Sequence, residues 1–491
     1  MKITKYLNAN TASIAGFVVF AYWLLAIKNG FMLRWYDEMS LFEPTRIFFR
    51  QFLYYPGGLL RHAGTWLTQL LYHPWLGTSA LIVLWLMLWW LTCKAFNLMR
   101  DAAPIALIVP IALLVSVVQL DEAWLTLKTT GYIFSNTLGY LFTAGTIALF
   151  RLASPRPIDC TATSLLIAAC YPIAGFYALL SAVICIILSI KTAIHKKQYV
   201  LFGGVVLTIL LIAVIPPVYY TYLQGNTVDN DYLYLKGLPE LLMESFDIYL
   251  WIPFIVATVW MLLLALAEGT TCLGENRYIR WVGIATVCLG CVWGVRASHK
   301  SEQLRATVLM LQHLDKNDWQ GMSGIMSRIK EPPNYTMRLL NRLALANQGR
   351  EGESPSGYSA QAGDGRHSEK FTMTAFINVP VYYNIGRFNQ SYRWAMEHTV
   401  QYGKRVFFLK YMVKDALLRG EIQLAKRYNN ILLATMFHRE WAEHINRFIE
   451  NPSLIDTDPE FRRILEYEKM ERPDVKDGNG SVDNENIADV H

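Results

Sequence analysis

The sequence predicts an all-α protein in two parts: a polytopic transmembrane helical bundle of about 8–9 spans, one read as re-entrant, and then a soluble TPR-like helical-repeat domain. Three observations predict it. The 491-residue chain is 53% hydrophobic, 13% aromatic and only 17% charged, with mean hydropathy +0.23; that exceeds an ordinary soluble composition. Nearly all the long apolar runs lie before residue 297. Beyond it, glycines separate short amphipathic segments, and Gly386 and Gly420 stand 34 residues apart, the period of a tetratricopeptide repeat. The expected organisation is 1–297 transmembrane, 298–349 first soluble helices, 350–371 a flexible loop, 372–472 TPR-like repeats, and 473–491 a disordered tail.

Crossing a bilayer takes roughly 20 apolar residues, because ~30 Å of hydrocarbon is divided by ~1.5 Å of rise per residue. Runs that qualify begin near Ala12, Leu76, Ala103, Gly131, Thr161, Val200, Tyr249 and Tyr278. Lys2 and Lys5 precede the first, but no small-x-small cleavage site follows it, so it reads as a retained anchor. The segment 161–190 is too long for one simple span and is expected to fold back near Tyr171-Pro172 and Gly175. Basic loops set the orientation. Lys2 and Lys5, Lys94 with Arg100, Arg151 with Arg156, and the loop 191–198 are placed inside. The acidic loop 224–247 then faces out, and the soluble half is extracytoplasmic, at what reads as a bacterial inner membrane.

The net charge of +6 is not read as nucleic-acid binding, because the basic residues of the first half sit in short loops between spans. No Asp, Glu, Lys, Arg or His falls in the apolar interior of a span, which argues against an ion-coupled carrier. The seven cysteines all lie in or beside hydrophobic segments. Cys288 and Cys291 have CxxC spacing, but with no second pair they read as small core residues. No nucleotide-binding loop, nucleophile triad or zinc motif is visible.

Two outward loops hold the polar chemistry. The first, about 33–75, carries the adjacent acids Asp37 and Glu38 with Arg34, Arg46, Arg50, Arg61, His62 and His73. Its stretch "PTRIFFRQFLYY" sets Ile47, Phe48, Phe52 and Tyr55 near one helical side and the arginines toward another, as an interfacial helix would. Pro56-Gly57-Gly58 breaks that helix, and Pro74 ends a second. The second loop holds another acid pair, Asp121-Glu122. Such acids beside Trp and Tyr suit either a charged cuff in an interfacial belt or a reaction centre at the membrane surface.

The first ~150 residues resemble the GT-C class of integral membrane glycosyltransferases, which carry an acidic motif just after the first span in a long external loop with an interfacial helix. The resemblance implies sugar transfer from a polyprenyl-phosphate carrier. It implies that Asp37 acts as catalytic base or orients the acceptor, and that Glu38, Asp121 and Glu122 bind a divalent metal or the acceptor. Arg34, Arg46, Arg50 or Arg61 would meet the lipid phosphate. Over most of its length the chain also resembles a family of bacterial membrane proteins with many spans, a "PGG" and "YHPW" loop after the first, and a TPR-like tail. That second resemblance implies architecture and no activity. The competing expectation is a non-catalytic, membrane-anchored scaffold for an envelope assembly.

In the soluble half, Gly386 and Gly420 each follow one apolar helix and precede another, and Ser391 and Ala425 take the equivalent small position five residues on. Gly349 ends a third such segment. Stacked units of this kind expose a concave surface suited to a peptide or partner protein. Tyr382, Tyr383, Tyr392, Trp394 and Trp441 are available to it but are expected to pack mostly within the repeats.

Overall fold

The computed structural model describes residues 9–98, 100–120, 131–153, 157–196, 200–223, 232–239, 248–268, 277–298, 302–349 and 371–471. It is all-α and forms two compact units, 1–299 and 300–491. Among the described residues of the first unit, seven helices are long and apolar enough to cross a membrane, and two shorter apolar stretches accompany them, Ala102–Val118 and Cys160–Ala169.

The first span is α1 (Ala9–Tyr22), which widens into a π-helical stretch through Lys28. Four short helices-and-turns follow it before the next span: α2 (Gly30–Glu38), α3 (Arg46–Leu53), α4 (Gly58–Thr68) and a 3-10 turn over Gln69–Tyr72. Then come α5 (Pro74–Ala95), α6 (Ile108–Val118) and α7 (Tyr132–Ala153).

The long segment breaks where its proline and glycine stand. α8 (Pro157–Ala169) leads through the single turn α9 (Tyr171–Ala174) to Gly175, and α10 (Phe176–Lys196) returns. Pro172 lacks an N–H, and Gly175 holds φ 57° and ψ −130°, a conformation open to glycine alone. The arms are unequal, 13 and 21 residues, or ~20 Å and ~31 Å. The hairpin therefore starts before and ends after the stretch marked by hydropathy. α8 packs against α10 and α11 (Val200–Val218), and α12 (Ile248–Ala267) and α13 (Arg277–Ala297) complete the unit.

Hydrogen bonds identify the two rims. On one, Gly57 N–H donates to Pro172 O (3.3 Å) and Phe176 N–H to Lys236 O (2.8 Å). Tyr171 Oη donates to Leu233 O (2.6 Å), and Tyr219 Oη to Leu53 O (3.1 Å). The loop after the first span, the hairpin turn and residues 232–238 thus share an end of the bundle. Lys28 Nζ donates to Ser298 Oγ (2.8 Å), so the chain leaves the last span at the rim where the first one ends. At the opposite rim, Arg151 Nε donates to Ala95 O (2.7 Å) and its guanidinium pairs with Glu268. Lys191 Nζ donates to Ala265 O (3.0 Å), Leu266 O and Glu268 O (2.9 Å), capping the carbonyl end of α12.

Between the rims, among the described residues, buried uncharged side chains bond one another and main-chain carbonyls. Tyr177 Oη donates to Asn136 Oδ1 (3.2 Å), Asn136 Nδ2 to Tyr132 O (2.8 Å), and Trp85 Nε1 to Thr137 Oγ1 (3.2 Å). Tyr140 Oη lies 3.1 Å from Phe254 O and 2.9 Å from Thr258 Oγ1. α7 is thus bonded to α5, α10 and α12, which satisfies groups that hydrocarbon would leave unpaired.

The second unit is a run of helices with TPR-like packing: α14 (Glu302–Asp315), α15 (Trp319–Met326), α16 (Tyr335–Asn347), α17 (Phe371–Asn384), α18 (Phe388–Tyr402), α19 (Val406–Leu418), α20 (Ile422–Leu433), α21 (Arg439–Glu450) and α22 (Pro459–Glu471). The helices from α17 to α21 each pack on the next. One turn recurs three times. Arg387 N–H donates to Tyr382 O, Glu421 N–H to Ala416 O, and Asp318 N–H to His313 O, each around a left-handed residue: Gly386 (φ 83°), Gly420 (φ 74°) and Asn317 (φ 54°). Ser391 and Ala425 are fully buried, as their repeat position requires. Asn317 marks a third copy of the turn that glycine spacing does not show.

A Cβ on Gly420 meets nothing within 4 Å, whereas one on Gly386 runs into the backbone of Tyr467 and Glu468 in α22. Gly420→Ala should therefore cost only about 1 kcal/mol for the left-handed backbone. Gly386→Ala should cost at least twice that. Equal thermal shifts for the two, measured by tryptophan fluorescence, would show that α22 is not held against Gly386.

Candidate functional site

α2 places the acid pair. Asn29 closes the π-helical stretch, with its N–H (3.1 Å) and its Nδ2 (2.9 Å) both donating to Leu24 O. Gly30 then starts α2 beside Pro74. Packed against the Gln69–Tyr72 turn, α2 buries seven of its nine residues, Asp37 and Glu38 among them at 3% and 6% exposure. An exposed charged cuff does not bury its carboxylates. A charge held this far from water requires compensation from its surroundings.

The four candidate arginines divide. Arg34 is on α2 with the acids, its guanidinium 5.2 Å from the Tyr72 ring centre. Arg61 is half-buried on α4. Arg46 and Arg50 are exposed on α3, beside the exposed apolar Ile47 (72%), Leu53 and Tyr54. That mixed outer face fits a helix lying in a membrane interface. Thr45 starts it by accepting from Phe48 N–H at 3.2 Å. Asp121 and Glu122 lie outside the described residues, so their position relative to Asp37 is not part of this geometry.

Two of the four apolar residues expected on one side of α3, Phe48 and Phe52, are half-buried, and the other two, Ile47 and Tyr55, are exposed. Phe48, Phe52 and Phe42, half-buried, and the exposed Phe49 lie against the half-buried His62 at ring-centre distances of 5.0–6.0 Å. Burial among these rings lowers the His62 pKa below the usual imidazole value, favouring the neutral ring. These ring contacts join α3 to α4. α4 in turn crosses α7 at a glycine contact, where a Cβ on Gly64 would lie 2.8 Å from Gly131 O. The acid-pair rim is thus a built platform resting on the bundle. Among the described residues no group of three or more His, Cys, Asp or Glu comes together to hold a metal ion.

In the second unit the buried polar chemistry sits between repeats. Ser391 Oγ on α18 donates to Asp415 Oδ2 on α19 at 2.8 Å. Asp415 is fully buried, and desolvation outweighs the Ser391 bond and the nearby Lys414 and Arg419 charges, raising its pKa well above the usual carboxylate range. A carboxyl whose folded pKa is raised binds more protons folded than unfolded. Its effect on stability is therefore least unfavourable below the unfolded pKa and worsens as pH rises toward the folded pKa. Asp415→Asn, which keeps an acceptor for Ser391, should raise the melting temperature at neutral pH and flatten the decline of stability above about pH 4. A pH–stability curve parallel to that of wild type would refute the buried-carboxyl assignment.

Of the five candidate aromatics of the repeats, Tyr383 packs internally and Tyr382, Tyr392, Trp394 and Trp441 are half-buried. Tyr392 and Tyr428 share a hydroxyl contact at 2.9 Å, and Lys410 sits 5.9 Å from the Trp441 ring centre.

Together these features define a polytopic all-α membrane protein with a C-terminal helical-repeat unit. The chain belongs to a family described as "Family of unknown function (DUF6057)", whose pattern it matches over residues 2–487. Neither the comparison with curated proteins nor that with solved structures gave a match.

Proposed function

We propose that this protein is a membrane-anchored scaffold: the bundle fixes it in the bilayer, and the repeat unit gathers a protein partner into an envelope assembly. The observation that carries this reading is the repeat unit itself. Serially packed helices with a recurring left-handed turn between them are the architecture of repeat proteins, which commonly present a concave face to a peptide or protein partner, and this supports the reading. The orientation in this reading puts the repeats on the extracytoplasmic side of a bacterial inner membrane. It is supported by the exit of the last span at the rim of the acid-pair loop and by Lys94, Arg151 and Lys191 at the other rim.

The second reading, a GT-C-like transferase drawing sugar from a polyprenyl-phosphate carrier, is favoured by one observation: the burial of Asp37 and Glu38 at a rim that also carries Arg34 and Arg61. A carboxylate there would take the acceptor's proton and an arginine would meet the leaving phosphate.

Complementation of a deletion strain separates the two. On the scaffold reading, Asp37→Asn with Glu38→Gln restores the wild-type envelope, and Lys414→Glu, at normal protein level, does not. The reverse pattern assigns the protein to the transferase reading. Phosphatase fusions after Ser298 test the orientation, and activity only on the cytoplasmic side would reverse it.

A further inference from the structure

We infer that the repeat unit carries its own occluding ligand: α22 lies in a site built for a helical peptide with the pattern Glu–apolar–x–Arg–apolar, and a partner segment of that pattern replaces it. The inference rests on the scaffold reading and specifies the surface through which it would act.

α22 is the last described helix, yet it does not pack only on the end of the array. Glu460 Oε1 accepts from Tyr383 Oη on α17 and from Lys414 Nζ on α19, both at 2.7 Å. One turn on, Arg463 donates to Asn384 Oδ1 beside the Gly386 turn and to Asn317 Oδ1 in the α14–α15 turn, both at 3.1 Å. Its guanidinium lies 4.7 Å from the ring centre of Trp319. Between these polar anchors Phe461 and Ile464 are buried. Further along, the bare backbone of Gly386 admits the main chain at Tyr467 and Glu468. The contacting positions, 460, 461, 463, 464, 467 and 468, form one helical face. The opposite face is solvent-exposed, with Arg462 and Glu466 paired at 3.0 Å.

This is helix-in-groove recognition, with apolar anchors at i and i+3 and polar residues fixing register. A helix that merely capped the array would touch its last pair. This one reaches the α14–α15 turn, 146 residues upstream of Arg463. Its specificity is charged on both sides. Burial alone would raise the Glu460 pKa, but the Lys414 charge and the bonds from Lys414 and Tyr383 more than offset it and hold the carboxylate ionised. An incoming segment must supply the same acid and the same arginine, or leave Lys414 and the two asparagine carbonyls without partners.

A segment within the same chain competes at an effective concentration in the millimolar range, so the site is closed to weak peptides and open to strong ones. The short 3-10 stretch Pro452–Thr457 is the connection on which α22 would swing.

The test uses full-length protein in lipid nanodiscs and a fluorescein-labelled peptide with the sequence of residues 459–471, read by anisotropy. In the released variant, Glu460→Lys with Ile464→Asp, amide exchange should show 459–471 unprotected, and the peptide should bind about tenfold or more tighter than to wild type. The peptide with its glutamate changed to lysine should lose that binding and recover it on a variant released instead by Glu460→Ala with Ile464→Asp that also carries Lys414→Glu. If the released variant does not fold, a protease site placed at 452–457 gives the same readout: after cleavage the labelled peptide should replace the severed helix. The inference is overturned if α22 is free and the peptide does not bind, or if a scrambled peptide binds equally. A dimer formed by exchange of α22 overturns it in favour of a second copy as occupant. Failure here, with Asp37→Asn and Glu38→Gln still complementing, would leave the scaffold reading intact and this site excluded.

Discussion

Gly175→Ala is expected to cost the membrane unit about 3 kcal/mol or more, from backbone strain plus overpacking, and to lower its apparent melting temperature by roughly 10 °C. Three glycines meet at that rim, Gly57 (φ 77°), Gly175 (φ 57°) and Gly237 (φ 104°), each in a conformation L side chains rarely adopt. A Cβ on Gly175 would strike Lys236 O, the acceptor for Phe176 N–H, and a Cβ on Gly57 would lie 2.8 Å from the Gly237 Cα. Neither obstacle is a flexible side-chain end, so relief requires moving a main chain that ties three loops together. Fluorescence-detected size exclusion after heating measures the shift; a wild-type melting temperature would mean that the three loops are not joined at that point.

The second large effect lies inside the bundle. A Cβ on Gly139 would enter the ring of Tyr177, which is 1% exposed and held by its hydroxyl on Asn136 and by edge contact with Tyr140 at 5.2 Å. Gly139→Ala should therefore destabilise by about 1–3 kcal/mol, although alanine is by itself the better helix former by about 1 kcal/mol. Tyr177→Ala alone should cost about 3–5 kcal/mol as a cavity. Together they should cost less than their sum by about 1–3 kcal/mol, because the new methyl enters the space the ring has left. Strict additivity in that double-mutant cycle would show that α7 and α10 do not meet through this pair.

Both predictions concern glycines, and only one of them could be read from the sequence. Gly175 follows Tyr171-Pro172 in an apolar run too long to be straight, and that local conflict marked the fold-back. Gly139 has no such local sign, because what makes it necessary is a ring 38 residues away. The spans were legible because hydrocarbon thickness sets a length that composition alone can meet. The repeat was legible at Gly386 and Gly420 but not at Asn317, because asparagine also tolerates the left-handed turn and leaves no glycine to count. In the candidate site, sequence marked Asp37, Glu38 and the interfacial helix. It did not show that the acids are buried or that four phenylalanine rings lie against His62, since these follow from how α2, α3 and α4 pack. Asp121 and Glu122 were equally visible as a pair, and they lie outside the described residues. The seating of α22 was the least accessible, because the four hydrogen bonds that tie it to other helices reach between 46 and 146 residues back along the chain.

Lys191 shows how one side chain can serve at two moments. During synthesis it emerges at the end of α10 long before the carbonyls it will bind, which lie 74–77 residues further along. Until then its ammonium has only water and headgroups, and the cost of drawing a charge into hydrocarbon keeps that helix end at the surface where it was delivered. Once α12 has been inserted, the same ammonium closes over its final carbonyls. In the finished bundle the residue is thus a latch between two helix ends, and a latch whose two halves are separated by more than seventy residues can close only after both spans are in place.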